Sequence, residues 1–297
     1  MKLEICHVTK YRYGAPVADS VNELRLAPRT DERQACYQHV LTVEPNVTMM
    51  SYEDYFGNRV HAFTAGEPHR ELAIASRSTV VTRDSEIKRQ TEEAPAASWA
   101  RVRSDAFADK FAEYLLPSAY VTFQSATSSY AAGLVAGEGG VFDFVKGASA
   151  RIYGDFEYKP LSTGVQTTAD ELIGIGAGVC QDFAHLLLAV CRIRGVPARY
   201  VSGYHFVGDL QGRNADFEQA SHAWVEAYVP GVGWLGFDPT NNGLADWRYV
   251  KLAHGRDYQD IVPVKGVYRG TGEQELTVKV DVQLAAGEVE EERVTPG

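Results

Sequence analysis

The chain has 297 residues, 45% of them apolar and 11% aromatic, and a formal net charge of −10. That supplies a buried core for one or two domains. An acidic surface without any Lys/Arg block excludes nucleic acid as the main partner, because phosphate binding needs a basic stripe. No stretch approaches the roughly 18 apolar residues of a membrane span, so no membrane partner is expected.

The N-terminus, MKLEICHVTKYRY, alternates polar and apolar residues and lacks the apolar segment of a signal peptide, so the expected location is cytoplasmic. Cys6, Cys36, Cys180 and Cys191 are few, widely spaced and form no CxxC pair. Neither a disulfide framework nor a structural zinc site is expected from them.

Residues 1–83 read as an antiparallel β domain. The runs KLEICHVTKYRYG, QACYQHVLTVEP, VTMMSYEDYFGNRVHAFTA and ELAIASRSTVVT are rich in Val, Thr, Tyr and Ile and are broken by Gly, Pro and Asn. FGNRV, around Gly57 and Asn58, reads as a hairpin turn. Residues 84–98 are polar and charged and read as a linker.

From Trp99 the texture turns helical. WARVRSDAFADKFAEYLL stops at Pro117, and SATSSYAAGLVAG and GGVFDFVKGASARIYGDF are further helices. TTADELIGIGAG has a Thr/Asp start and a Gly-rich stop. The next helix begins near Cys180 and runs to about Arg194, where Gly195 and Pro197 end it. A strand, ARYVSGYHFVG, follows, and then two strands around a Pro-Gly turn in ASHAWVEAYVPGVGWLGFDPT. The C-terminal region adds one strand, 275–284, and a charged tail. Helices followed by strands indicate an α+β core over 99–270, with 271–297 as a C-terminal strand and tail.

Cys180 stands where a loop of small residues meets the apolar helix. Unpaired N–H groups and the macrodipole at a helix start favour an anion, and a thiol there titrates below its free value of about 8.5. The same N–H groups can face an oxyanion. The plainer alternative is a buried, inert thiol. His222, in SHAWVEAYV, shares a strand face with Trp224, Glu226 and Tyr228. With the turn centred on Pro230, pairing would set His222 directly opposite Asp238, with Cβ atoms about 4.5–5.5 Å apart. Cys180, His222 and Asp238 then read as nucleophile, base and orienting carboxylate.

These residues carry a resemblance. GVCQDFAHLLLAVCRIRGVPARYVSGY, SHAWVEAYVPGVGWLGFDPTNN and GRDYQDIVPVKGVY resemble the bacterial transglutaminase-like proteins, often described as cysteine proteases. HVTKYRYGAPVADSVNELRLAPR and YEDYFGNRVHAF resemble the β domain that accompanies that core. The resemblance spans residues 1 to about 285 and implies a papain-like transglutaminase core in which Cys180 is the nucleophile, His222 the base and acid, and Asp238 the orienting carboxylate. The local Cys signature of papain itself is absent, which restricts the resemblance to the transglutaminase branch.

Further candidates for substrate or oxyanion contact are Gln181, Tyr158, Gln166, Tyr204 and Trp224. Tyr158 and Gln166 compete for the second oxyanion donor. A solvent-facing amide is the alternative for Gln181, and packing beside the hairpin is the alternative for Trp224. Asp182 reads as a helix-start charge rather than a catalytic group, since its charge would oppose thiolate formation. His185 and Cys191 read as packing residues, and His205 as a lesser candidate for the cleft. A redox thiol pair is excluded, because Cys191 lies about 16 Å along the helix from Cys180.

The expected activity is thiol-dependent acyl transfer on a peptide, protein or small amide substrate, with no cofactor. Hydrolysis is favoured, with an amine acceptor as the alternative and an idle binding scaffold as the rival of another class.

Overall fold

The computed structural model describes residues 1–84, 93–134, 137–208 and 221–285. Residues 85–92 of the linker expected over 84–98, and the charged tail (286–297), lie outside the described residues; residues 95–98 of that linker are helical, because Pro95 starts a helix there. Five strands open the chain: β1 (Lys2–Leu24), β2 (Gln34–Glu44), β3 (Met49–Glu53), β4 (Arg59–Ala65) and β5 (His69–Thr82), ordered β2-β5-β1-β4-β3. β1 obeys the two-residue period: Leu3, Ile5, His7 and Thr9 are buried, while Lys2 and Glu4 are exposed. Its first half pairs with β5 and its second half with β4. Pairing with β5 is interrupted between Arg12 and Val17, and Asp19 just beyond has a φ of 49°. Such interruptions bend a strand, and β1 curls the sheet around itself. FGNRV forms the expected turn, with Gly57 at φ 71°.

The single helical stretch expected from Trp99 to Leu116 is divided into α1 (Pro95–Val102), α2 (Asp105–Lys110) and a 3₁₀ turn at Ala112–Tyr114. The break falls at Ser104, which is extended and starts α2. Then come α3 (Ser125–Ala132), α4 (Val141–Asp155), the two-residue strand β6 (Glu157–Tyr158), α5 (Ala169–Ile175), its short parallel partner β7 (Ala177–Gly178) and α6 (Cys180–Ile193). Every residue of α6 from Asp182 to Arg192 is buried, and the helix packs on the core sheet with α3, α4 and α5 around it. A helix apolar all round belongs in the centre of a domain.

That sheet has five antiparallel strands, β8 (Ala198–His205), β9 (Ser221–Val229), β10 (Gly233–Asp238), β11 (Gly243–Leu244) and β12 (Tyr249–Gly255), in the order β11-β10-β9-β8-β12. β12 has no counterpart in the sequence reading. All seven of its residues are buried, so YVKLAHG lacks the alternation that marks a half-exposed strand.

Two last strands return to the first domain. β13 (Val264–Arg269), which falls within the span 99–270, and β14 (Gln274–Leu284) both pair with β1, so the C-terminal segment completes the N-terminal sheet. The two units share apolar packing: Tyr204, Phe206, Val250 and Leu252 of the core sheet cluster with Leu3, Ile5, Leu72 and Ile74. The whole is a helix-and-sheet core behind a curled antiparallel β domain.

Candidate active site

The start of α6 is built locally. Gly176, at φ 75°, ends α5; Ala177–Gly178 is then held by β6, and Val179 is extended. Asp182, three residues on, accepts the Val179 N–H at 2.9 Å and the Thr163 hydroxyl at 2.6 Å. It is 1% exposed, and burial raises its carboxyl above the usual range despite these two bonds. Asp182 therefore caps the helix that presents Cys180. The Cys180 N–H, in the first turn, has no acceptor within the helix.

His222 on β9 and Asp238 at the end of β10 meet through Nε2 and Oδ2 at 2.7 Å. They do so in a register different from the one expected. Trp234 pairs with Tyr228 and Phe237 with Val225, so the turn centre is Gly231 and not Pro230. Val232 N–H bonds Val229 C=O at 3.0 Å, and Gly231 and Gly233 take φ of 83° and 99°. The loop thus spans residues 230–232 and sits one residue further along the chain than a turn centred on Pro230. The partner number shifts by two, which preserves the face, and His222 reaches Asp238 diagonally instead of directly across.

Asp238 is fully buried, and its Oδ1 accepts the backbone N–H groups of Thr240 at 2.8 Å and Asn241 at 3.3 Å. Cys180 lies close enough to the His222 ring to act on its titration. With Nε2 engaged by Asp238, Nδ1 is the nitrogen left for the sulfur. Burial alone would lower the His222 pKa, but the bond to Asp238 and the neighbouring Cys180 outweigh it and push the imidazole up to about 10. Asp238 is held well below the usual carboxylate range: burial would raise it, and His222, Tyr249 and Asn241 overcome that. The site favours a protonated imidazole against the Asp238 carboxylate.

Comparison with known proteins places the chain. Residues 3–81 match the model of the bacterial transglutaminase-like N-terminal region, and residues 128–239 that of the transglutaminase-like superfamily. An uncharacterized protein of Mycobacterium leprae is 35% identical over 289 residues, covering 96% of this chain and 99% of that one. The chain belongs to the bacterial transglutaminase-like family. A solved structure from Cytophaga hutchinsonii, described as a "putative cysteine protease", superposes with a TM-score of 0.73 at 28% identity, covering 97% of this chain and 92% of that one. A protein-glutamine gamma-glutamyltransferase of Pseudomonas aeruginosa is 39% identical over 88 residues, 29% of this chain and 13% of that entire protein.

Within this transglutaminase-like core the secondary candidates separate. Tyr158 on β6 stands near Cys180: burial first, and then a charge on that sulfur, raises its phenol. Gln181 donates to the Val165 carbonyl at 2.9 Å and so ties the 159–168 loop to the helix start instead of lying free in solvent. Gln166 is exposed on that loop. Trp224 is 2% exposed and lies beneath the site, its ring 6.4 Å from His222 and 5.3 Å from Tyr249. Tyr204 points away from the site into the first domain, where its hydroxyl meets His7 Nδ1 at 2.8 Å; on β8 it faces opposite to Gly203, the residue paired with His222. His205, on the other face, stacks on Tyr249 at 4.4 Å and lies 5.4 Å from the His222 ring. His185 and Cys191 are wholly buried, and burial pushes the Cys191 thiol up to about 12.

Two functional contacts have no place in the sequence reading. Tyr249 Oη donates to Asp238 Oδ2 at 2.7 Å, and Asn241 Nδ2 donates to the same oxygen at 2.7 Å. Asn241 had a signal, three residues beyond Asp238 in a turn-forming DPTN run. Tyr249 had none, because its strand was not visible.

Proposed function

We propose that this member of the family is a cysteine acyl-transferase whose reacting groups are Cys180, His222 and Asp238. The observation that carries the reading is the imidazole of His222, bonded to a buried carboxylate at 2.7 Å and neighbouring the Cys180 thiol at the start of α6. Sulfur attacks the carbonyl carbon of an amide, and the Cys180 N–H faces the oxygen that gains charge. The C–N bond breaks as His222 gives its proton to the leaving amine, which leaves a thioester on Cys180. His222, now neutral, takes a proton from the acceptor as it attacks the thioester carbon, and the C–S bond breaks, releasing the acyl product and restoring the Cys180 sulfur beside the protonated imidazole. Asp238 holds the tautomer and balances the imidazolium.

Water as acceptor makes the enzyme a protease or amidase, and this is the reading we favour. An amine as acceptor is the second reading, supported by the 39% identity to part of the Pseudomonas glutamyltransferase. Peptide carboxamides incubated with and without a primary amine, using native protein and Cys180→Ala, test both. Ammonia or peptide released by the native form alone supports acyl transfer, and incorporation of the amine selects the second acceptor. Equal signals from native protein and variant overturn the proposal in favour of a binding scaffold.

A further inference from the structure

β12 is an edge strand of the core sheet, yet it is buried throughout. An edge strand presents a row of unpaired N–H and C=O groups, and burying them unpaired is costly. Here the first domain supplies the missing partners with two side-chain amides. Gln34 Nε2 donates to Lys251 O at 2.8 Å, and Gln34 Oε1 accepts from Lys251 N at 2.7 Å. Asn58 repeats the pattern on the next outward residue: Nδ2 donates to His254 O at 2.8 Å and Oδ1 accepts from His254 N at 2.9 Å. A carboxamide carries one acceptor and two donors, so each side chain replaces one peptide unit of an absent neighbouring strand.

Both amides are held in advance. Gln34 also donates to Arg29 O at 2.7 Å; Asn58 is fully buried, donates to Asp54 at 3.1 Å and accepts from the Arg29 guanidinium at 2.9 Å. Between them Lys251 bridges the units, with its Nζ 2.8 Å from Asp31 and 2.7 Å from Glu226. Glu226 lies on β9, four residues from His222, and also meets Arg199 at 2.6 Å. At the near end of the clamped strand stands Tyr249, whose hydroxyl reaches Asp238.

We propose that the N-terminal β domain is a positioning element of the active site: Gln34 and Asn58 fix β12, and β12 delivers the Tyr249 hydroxyl that holds Asp238 against His222. Gln34, Asn58 and Tyr249 are positioning residues, and the inference rests on the reading of Cys180, His222 and Asp238 given above. A hydrogen bond of 2.7 Å does not survive a slide of the strand by an ångström, so the clamp sets the geometry of the carboxylate.

The test compares the full-length native protein with Tyr249→Phe, Gln34→Ala and Asn58→Ser, reading the His222 imidazole titration by NMR alongside Tm. The groups that face His222 are Asp238, Cys180, His205, Tyr249 and Asn241, of which Asp238 and Cys180 favour its proton. Each variant is expected to lower the His222 midpoint by about one pH unit. Tyr249→Phe combined with Gln34→Ala is expected to move it no further than Tyr249→Phe alone. Should Asn58→Ser fail to fold, Gln34→Ala carries the same expectation. Clamp variants with reduced Tm and a native midpoint overturn the proposal, and so does an additive combination, which means a separate route. Iodoacetamide labelling of Cys180 at pH 6 tests the catalytic reading on its own: an unreactive native thiol defeats that reading, while the His222 midpoint still reports on the clamp.

Discussion

A buried imidazole ordinarily loses its proton, and six of the eight histidines follow that rule: His7, His39, His61, His185, His205 and His254 are all lowered, with burial as the first cause. His222 goes the other way, up to about 10. The two classes give opposite slopes. For the six, the unfolded chain binds more protons below about 6.5, so stability falls as the pH drops from there toward 4. For His222 the folded state holds the proton more tightly, so its contribution is whole below about 6.5 and disappears as the pH rises toward about 10. Urea unfolding from pH 4 to 10 should therefore show a maximum near neutrality, and Asp238→Asn should flatten the alkaline side alone. An unchanged alkaline side in that variant would mean that Asp238 does not hold the proton on His222. The same variant keeps the carboxylate's shape without its charge, and turnover of a peptide amide is expected to fall about 10²- to 10⁴-fold, measured as kcat.

At the scale of elements, the helix that begins at Cys180 and the two strands bearing His222 and Asp238 were legible, because each has a local cause. Gly176 and Val179 set up the helix start, and alternation sets the strand face. The hairpin register was not, because it depends on which residue sits at the centre of the turn, and in a Pro-Gly pair either Pro230 or Gly231 can serve. β12 was hidden by its burial on both sides, and with it Tyr249. The close fit of this sheet makes a prediction at Gly203, which pairs with His222. A Cβ added there would sit 2.7 Å from Trp224 Cη2 and against the Val250 carbonyl. Neither backbone nor a buried indole yields easily, so Gly203→Ala should destabilise the protein by about 1–3 kcal/mol in urea unfolding. A change within experimental scatter would show that Trp224 has room to move.

For the whole molecule, the change of texture near residue 84 marks the end of β5, whereas the return of β13 and β14 to β1 was not visible, since strand pairing across more than two hundred residues leaves no local mark. β14 covers β1 from Leu3 to Tyr13 without interruption. Ending the chain at Gly270 should expose that edge, and in size-exclusion chromatography the shortened protein is expected to self-associate relative to the full chain. A shortened chain that elutes unaltered would show that β14 is dispensable cover. The pairing also governs the order of events during synthesis. β1 emerges from the ribosome early, but one of its two flanking neighbours is made only when residue 284 has been added. The first domain must wait, half-zipped, for the last strand, and the helix-and-sheet core between them is free to consolidate before the sheet that braces it is closed.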